Sequence, residues 1–151
     1  MKKILLLALL VCLPLACEDE IYSPIPNAQV HVELDLDFED SKLNAGLAWK
    51  TFNTSDSHDY GRYETGFGGI LVINGFGVNT VNLFAYDLAC PVEADRSIKV
   101  KPDDAGKATC PKCNAIYDVA YGSGKPESGT KYGLRCYRVS PSRENRYIVS
   151  N

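Results

Sequence analysis

Histidine is nearly missing from this chain: His31 and His58 are the only two in 151 residues. That excludes a site built on three imidazoles. A Ser/His/Asp triad would need one of them beside an activated serine, and neither lies in such a setting. Basic clusters are missing too. The 16 Lys and Arg fall to 14 once Lys2 and Lys3 are set aside with the N-terminal segment, against 19 Asp and Glu, a net charge of −5. A mildly acidic chain without a basic patch argues against nucleic acid as a partner. Beyond Leu15 no apolar run nears the roughly 18 residues of a membrane-spanning helix. No stretch of ten residues keeps a clean helical period. Gly66-Phe67-Gly68-Gly69 lacks the Lys-Ser/Thr pair and the following helix of a phosphate loop, so these read as turn glycines.

The N-terminus carries an address. Lys2 and Lys3 precede an apolar run from Ile4 to Leu15, and small Ala16 stands before Cys17. As a helix the run reaches about 20 Å against a hydrocarbon core of roughly 30 Å, so residues 1–16 are expected to be a signal peptide. Leu13-Pro14-Leu15-Ala16-Cys17 resembles a bacterial lipobox. The resemblance implies lipidation of Cys17 and a protein held in the cell envelope, at the outer membrane, facing the periplasm or the outside. Glu18-Asp19-Glu20 and the Pro24/Pro26 stretch then form a tether over residues 17–27, with the folded unit spanning residues 28–151.

That unit alternates. Val30, Val32, Leu34, Leu36 and Phe38 share one side of a period-2 pattern, with Glu33, Asp35 and Asp37 on the wet side. Ile70 to Ile73 is a short apolar run followed by Asn74-Gly75, a hairpin signal, and Val78 to Leu88 continues as a strand. Further strands are expected at Ser97–Lys101, Ala115–Tyr121, Leu134–Val139 and Tyr147–Val149. Asn53 to Tyr60, which includes His58, reads as a surface loop. Short strands at close spacing, separated by turn residues, mean an all-β fold.

Apart from Cys12 in the signal and Cys17, four cysteines remain: Cys90, Cys110, Cys113 and Cys136. Cys90-Pro91 and Cys110-Pro111-Lys112-Cys113 are of the kind that turns backbone N–H groups onto a thiolate, the arrangement that holds iron or zinc. Glu93 makes the first loop a Cys-x-x-Glu facing a Cys-x-x-Cys, an oxygen in one slot of a zinc-ribbon-like spacing. Cys136 is the other candidate fourth ligand. The same four thiols could instead form two disulfides in an exported protein. A thioredoxin-type dithiol is disfavoured, because the alternation from Ala115 puts a strand where that chemistry needs a helix.

Ala85-Tyr86-Asp87-Leu88-Ala89-Cys90-Pro91, Cys110-Pro111-Lys112-Cys113-Asn114-Ala115-Ile116-Tyr117-Asp118, Gly122-Ser123-Gly124-Lys125-Pro126 and Leu134-Arg135-Cys136-Tyr137-Arg138-Val139 together resemble a Rieske iron–sulfur domain. More narrowly, the whole chain is similar to Rieske-like lipoproteins of Gram-negative bacteria. The resemblance implies an antiparallel β-sandwich with a small Cys-loop subdomain, rubredoxin- or zinc-ribbon-like, over about residues 89–134. It also implies a [2Fe–2S] cluster held by one Cys and one His from each of two loops. Here the cysteines fall on Cys90 and Cys110, but the histidine positions fall on Val92 and Cys113. A standard His₂Cys₂ cluster is therefore not expected. Two functions follow: a non-enzymatic, lipid-anchored binding or scaffolding module with structural Cys loops, or an electron-transfer protein with a Cys-ligated [2Fe–2S], iron or zinc site.

Overall fold

The computed structural model describes residues 21–53, 64–79 and 81–151. The elements in chain order are β1 (Val30–Asp35), a 3-10 turn (Ser41–Asn44), β2 (Trp49–Phe52), β3 (Glu64–Thr65), β4 (Ile70–Asn74), β5 (Leu83–Asp87), β6 (Lys101–Pro102), β7 (Lys107–Thr109), β8 (Ile116–Asp118), β9 (Pro126–Ser128), β10 (Cys136–Arg143) and β11 (Arg146–Ser150). The fold is all-β, as the alternation requires. Seven strands form one antiparallel sheet in the order β2-β4-β5-β10-β11-β1-β3, and four short ones form a second in the order β6-β7-β8-β9. Among the described residues no helix is long and apolar enough to cross a membrane.

β10 is the corner of the large sheet. Its first residues pair with β5 (Cys136 with Tyr86, Tyr137 with Ala85), and its remainder pairs with β11, with an irregularity between Pro141 and Arg143. β4 explains the continuous apolar run at its positions, since a strand buried on both faces has no wet side to alternate with. Ile70 and Val72 enter one core with Val32, Leu34 and Val149, while Leu71 and Ile73 enter a second with Tyr86, Tyr117, Cys90 and Cys110. The four-stranded sheet thus sits over the second core, and the cysteine loops are anchored in it.

Several expected boundaries move. β1 stops at Asp35 because Asp40 returns its carboxylate to the Asp35 N–H at 2.8 Å and its own N–H to the Asp35 carbonyl at 2.9 Å. Phe38, beyond that turn, is 73% exposed and leaves the apolar face. The β4–β5 hairpin forms, but Gly75 donates to the Asn82 carbonyl and Asn82 to the Asn74 side chain, so a longer loop replaces the tight turn and β5 begins only at Leu83. Ser97–Lys101 contributes one bridge, Ala89 to Lys99, before β6. The segment from Ile21 to Asn27 is extended, yet it lies on the fold. Ile25 is only 2% exposed, Gly133 donates to the Tyr22 carbonyl, and Arg135 holds the Ile25 carbonyl. The loop expected at 53–60, with His58, and the N-terminal segment with Cys17 fall mainly outside the described residues.

Candidate metal centre

Cys90 and Cys110 each open a loop of the same construction. Each is followed by a proline, whose fixed φ suits the first corner of a turn. In each, the N–H four residues on returns to the cysteine carbonyl: Ala94 to Cys90 at 2.9 Å, and Asn114 to Cys110 at 3.0 Å. Both closing residues adopt the left-handed conformation, Ala94 at φ 48° and Asn114 at φ 59°. That backbone turns two amides onto each sulfur, Glu93 and Val92 onto Cys90, and Cys113 and Lys112 onto Cys110. Amide N–H groups converging on one sulfur favour its thiolate.

The loops face each other. The sulfurs of Cys90, Cys110 and Cys113 all lie within 4.8 Å of one another, and those of Cys90 and Cys113 are 3.6 Å apart. Cys90 and Cys110 are fully buried and Cys113 is half-buried. Tyr117, from β8, brings its hydroxyl to 3.7 Å from the Cys90 sulfur. A tetrahedral ion with metal–sulfur bonds of about 2.3 Å holds its sulfurs about 3.8 Å apart, close to the Cys90–Cys113 distance. Burial pushes the Cys90 thiol up to about 11. Burial opposes ionisation of Cys110 as well, but the Cys113 and Lys112 amides and the neighbouring thiols outweigh it, so Cys110 is held below the ordinary thiol value. Cys90 and Cys110, in facing turns, are thus shifted in opposite directions.

The other candidates lie differently. Cys136 is exposed at the start of β10, its sulfur 3.5 Å from the Ser123 carbonyl, and it stands outside the cluster. A four-cysteine site and a second disulfide through Cys136 are therefore not assembled. All four cysteines are free thiols in this structure. Glu93 stands outside the three-sulfur group, its Oε2 2.5 Å from Lys112 Nζ. Val92, where the family resemblance would put a histidine, is 39% exposed and offers no donor atom. His31 lies on β1 near Glu33, in the other sheet. Because β8 follows Cys113 at Ile116, the Cys110–Cys113 pair has no helix N-terminus to activate it. A His₂Cys₂ cluster does not fit these residues.

One positioning residue was not singled out from the sequence. Asp87, buried at the end of β5, accepts from Phe67 N at 2.9 Å, Gly68 N at 3.0 Å, Ala89 N at 2.8 Å and the Tyr137 hydroxyl at 2.6 Å. It locks the glycine turn against the residue before Cys90. A β-carbon on Gly68 would stand 2.6 Å from the Ala89 nitrogen, so only glycine admits this approach. An acidic residue inside an apolar strand, a Gly-rich turn upstream, was the available signal.

No family model matches the chain, and no curated protein matches it. Among solved structures it is similar to a chain described as an NADH-dependent nitrite reductase small subunit from Mycobacterium tuberculosis. The identity is 14%, the match covers 70% of this chain and 96% of that one, and the TM-score is 0.38. A likeness at that level says nothing about activity.

Proposed function

We propose that the protein is a lipid-anchored envelope module of Rieske-like descent that has exchanged the two-iron cluster for a single thiolate-bound metal ion, zinc or iron, at Cys90, Cys110 and Cys113. The metal is structural: it ties the two cysteine loops together, and the module binds or scaffolds rather than catalyses. One observation carries the reading. Three sulfurs, two of them in N–H-lined turns, lie within 4.8 Å of one another, and the Cys90–Cys113 pair stands at 3.6 Å, close to the edge length of one tetrahedral ion. A two-iron cluster needs four protein ligands, two on each iron, whereas three thiols come together here. The lipid anchor is supported by the lipobox-like residues before Cys17.

The test is the full chain, purified in detergent under argon without chelator, with zinc, iron and acid-labile sulfide measured beside a thiol count. One zinc or iron per chain and no sulfide is the expected result. Cys110→Ser should lose the metal and Cys136→Ser should keep it. Iron with stoichiometric sulfide would restore the electron-transfer reading. A second reading, a Cys90–Cys113 disulfide, is favoured by their 3.6 Å contact. It would appear as a metal-free protein in which Cys110 and Cys136 alone react with thiol reagents.

A further inference from the structure

The two loops correspond position by position. Cys113 is the fourth residue of its loop, and its sulfur crosses to Cys90, the first residue of the other. The residue at the matching position of the first loop is Glu93. Its side chain crosses in the same sense: its carboxylate reaches Lys112, two residues after Cys110. It is also sheltered, with a side chain only 16% exposed, whereas Lys112 is largely in solvent. Glu93 Oε2 is taken by the Lys112 ammonium, which leaves Oε1 for another partner.

A tetrahedral ion on three thiolates has one position left, and zinc and iron(II) both accept a carboxylate oxygen there. We infer that Glu93 supplies this fourth ligand through Oε1, with Lys112 as the outer partner that orients its carboxylate. The inference rests on the metal reading above. The Glu93 carboxylate lies outside the three-sulfur group, on Lys112, so taking the fourth position requires it to turn toward the sulfurs from a loop built like the second. Three thiolates and a carboxylate leave a divalent ion with two excess negative charges, and Lys112 offsets one of them. Outer partners of this kind orient metal-bound carboxylates and are worth roughly 10–100-fold in affinity.

Cobalt(II) reports the ligand set directly, because its sulfur charge-transfer band counts thiolates and its visible bands report coordination number. The reduced full chain in detergent should bind one cobalt in a tetrahedral site with three thiolates. Glu93→Gln should weaken cobalt binding by about 10–100-fold while keeping the charge-transfer intensity per bound ion. Glu93→Cys should raise that intensity by about one third, a fourth thiolate added to three. An unchanged affinity and visible spectrum in Glu93→Gln overturns the inference, and so does a charge-transfer band in Glu93→Cys that stays at three thiolates. Should Glu93→Gln fail to fold, Glu93→Cys decides alone. Failure of the unsubstituted chain to take up cobalt overturns the metal reading itself, and this one with it.

Discussion

Asp87 shows what a single buried charge can organise. A carboxylate removed from water is tolerated only when its oxygens are met, and here three backbone amides and one phenol meet them. Tyr137 makes the shortest of these bonds, 2.6 Å to Oδ2. Tyr137→Phe removes that charge-assisted donor and leaves an under-satisfied buried carboxylate, so the chain should lose about 1.5–3 kcal/mol in urea unfolding. A loss below a few tenths would mean that Asp87 does not depend on the phenol. The same residues set an alkaline limit. Burial, then the neighbouring Asp87, holds the Tyr137 phenol above its usual value, and burial does the same for Tyr86 and Tyr117. A phenol whose folded value is raised keeps its proton longer in the native state than in the unfolded chain. Its stabilising contribution is therefore complete below about pH 10 and is lost as pH climbs above it. The urea midpoint should fall over that range, and less steeply in Tyr137→Phe. A flat profile would contradict the burial of these phenols.

The two cysteine loops are near-copies made from different residues. In the second, Asn114 closes the turn, and asparagine visits the left-handed region at low cost. In the first the closing residue is Ala94, which pays a steric penalty there of about 1–2 kcal/mol. Ala94→Gly should relieve part of that and stabilise by about 0.5–1 kcal/mol, with metal content unchanged, whereas Asn114→Gly should gain less. Thermal unfolding of the two variants reads the difference, and a destabilised Ala94→Gly would show that the methyl group makes a compensating contact. The loops were only half legible in sequence for the same reason. Cys-Pro at both sites announced the turns, and a left-handed closing residue was readable at Asn114 but not at an alanine. The strands divide in the same way. Val30 to Leu36 and the Ile70–Ile73 run are long or apolar enough to declare themselves. β7 and β9 span three residues each, too short for alternation to stand out, and β2 hides in a mixed Trp49-Lys50-Thr51-Phe52 run. The end of β1 was invisible because it is imposed by Asp40 reaching back five residues, an interaction no period reveals.

Across the whole molecule, the all-β class followed from local pattern, but the partners did not. β5 meets β10 across some fifty residues of chain, with Tyr86 opposite Cys136 and Ala85 opposite Tyr137, and alternation says nothing about which strand lies beside which. That pairing carries Cys136 away from the other three thiols, so a count of four cysteines suggested a larger site than the topology assembles. The same distant contacts decide how the N-terminal segment is held. Two prolines made Ile21 to Asn27 extended, as expected, but Ile25 is buried, Arg135 grips its carbonyl, and Asn27 accepts from Arg135 and Asn151. Tyr22 to Asn27 is therefore held on the fold, where composition alone implies a tether. From Cys17 to Ile21 the chain can span at most about 14 Å, so a lipid on Cys17 would hold the folded unit against the membrane surface rather than on a long leash. Cys17→Ser should abolish incorporation of labelled fatty acid and move the full chain from the membrane to the soluble fraction, with the urea midpoint of the fold unaltered. The unaltered midpoint is expected because the contacts that hold the N-terminal segment are made by Tyr22, Ile25 and Asn27, so loss of the anchor and loss of the fold are separable in one experiment. Membrane retention of the labelled-lipid-free variant at high salt would assign the attachment to the folded surface instead of the N-terminus.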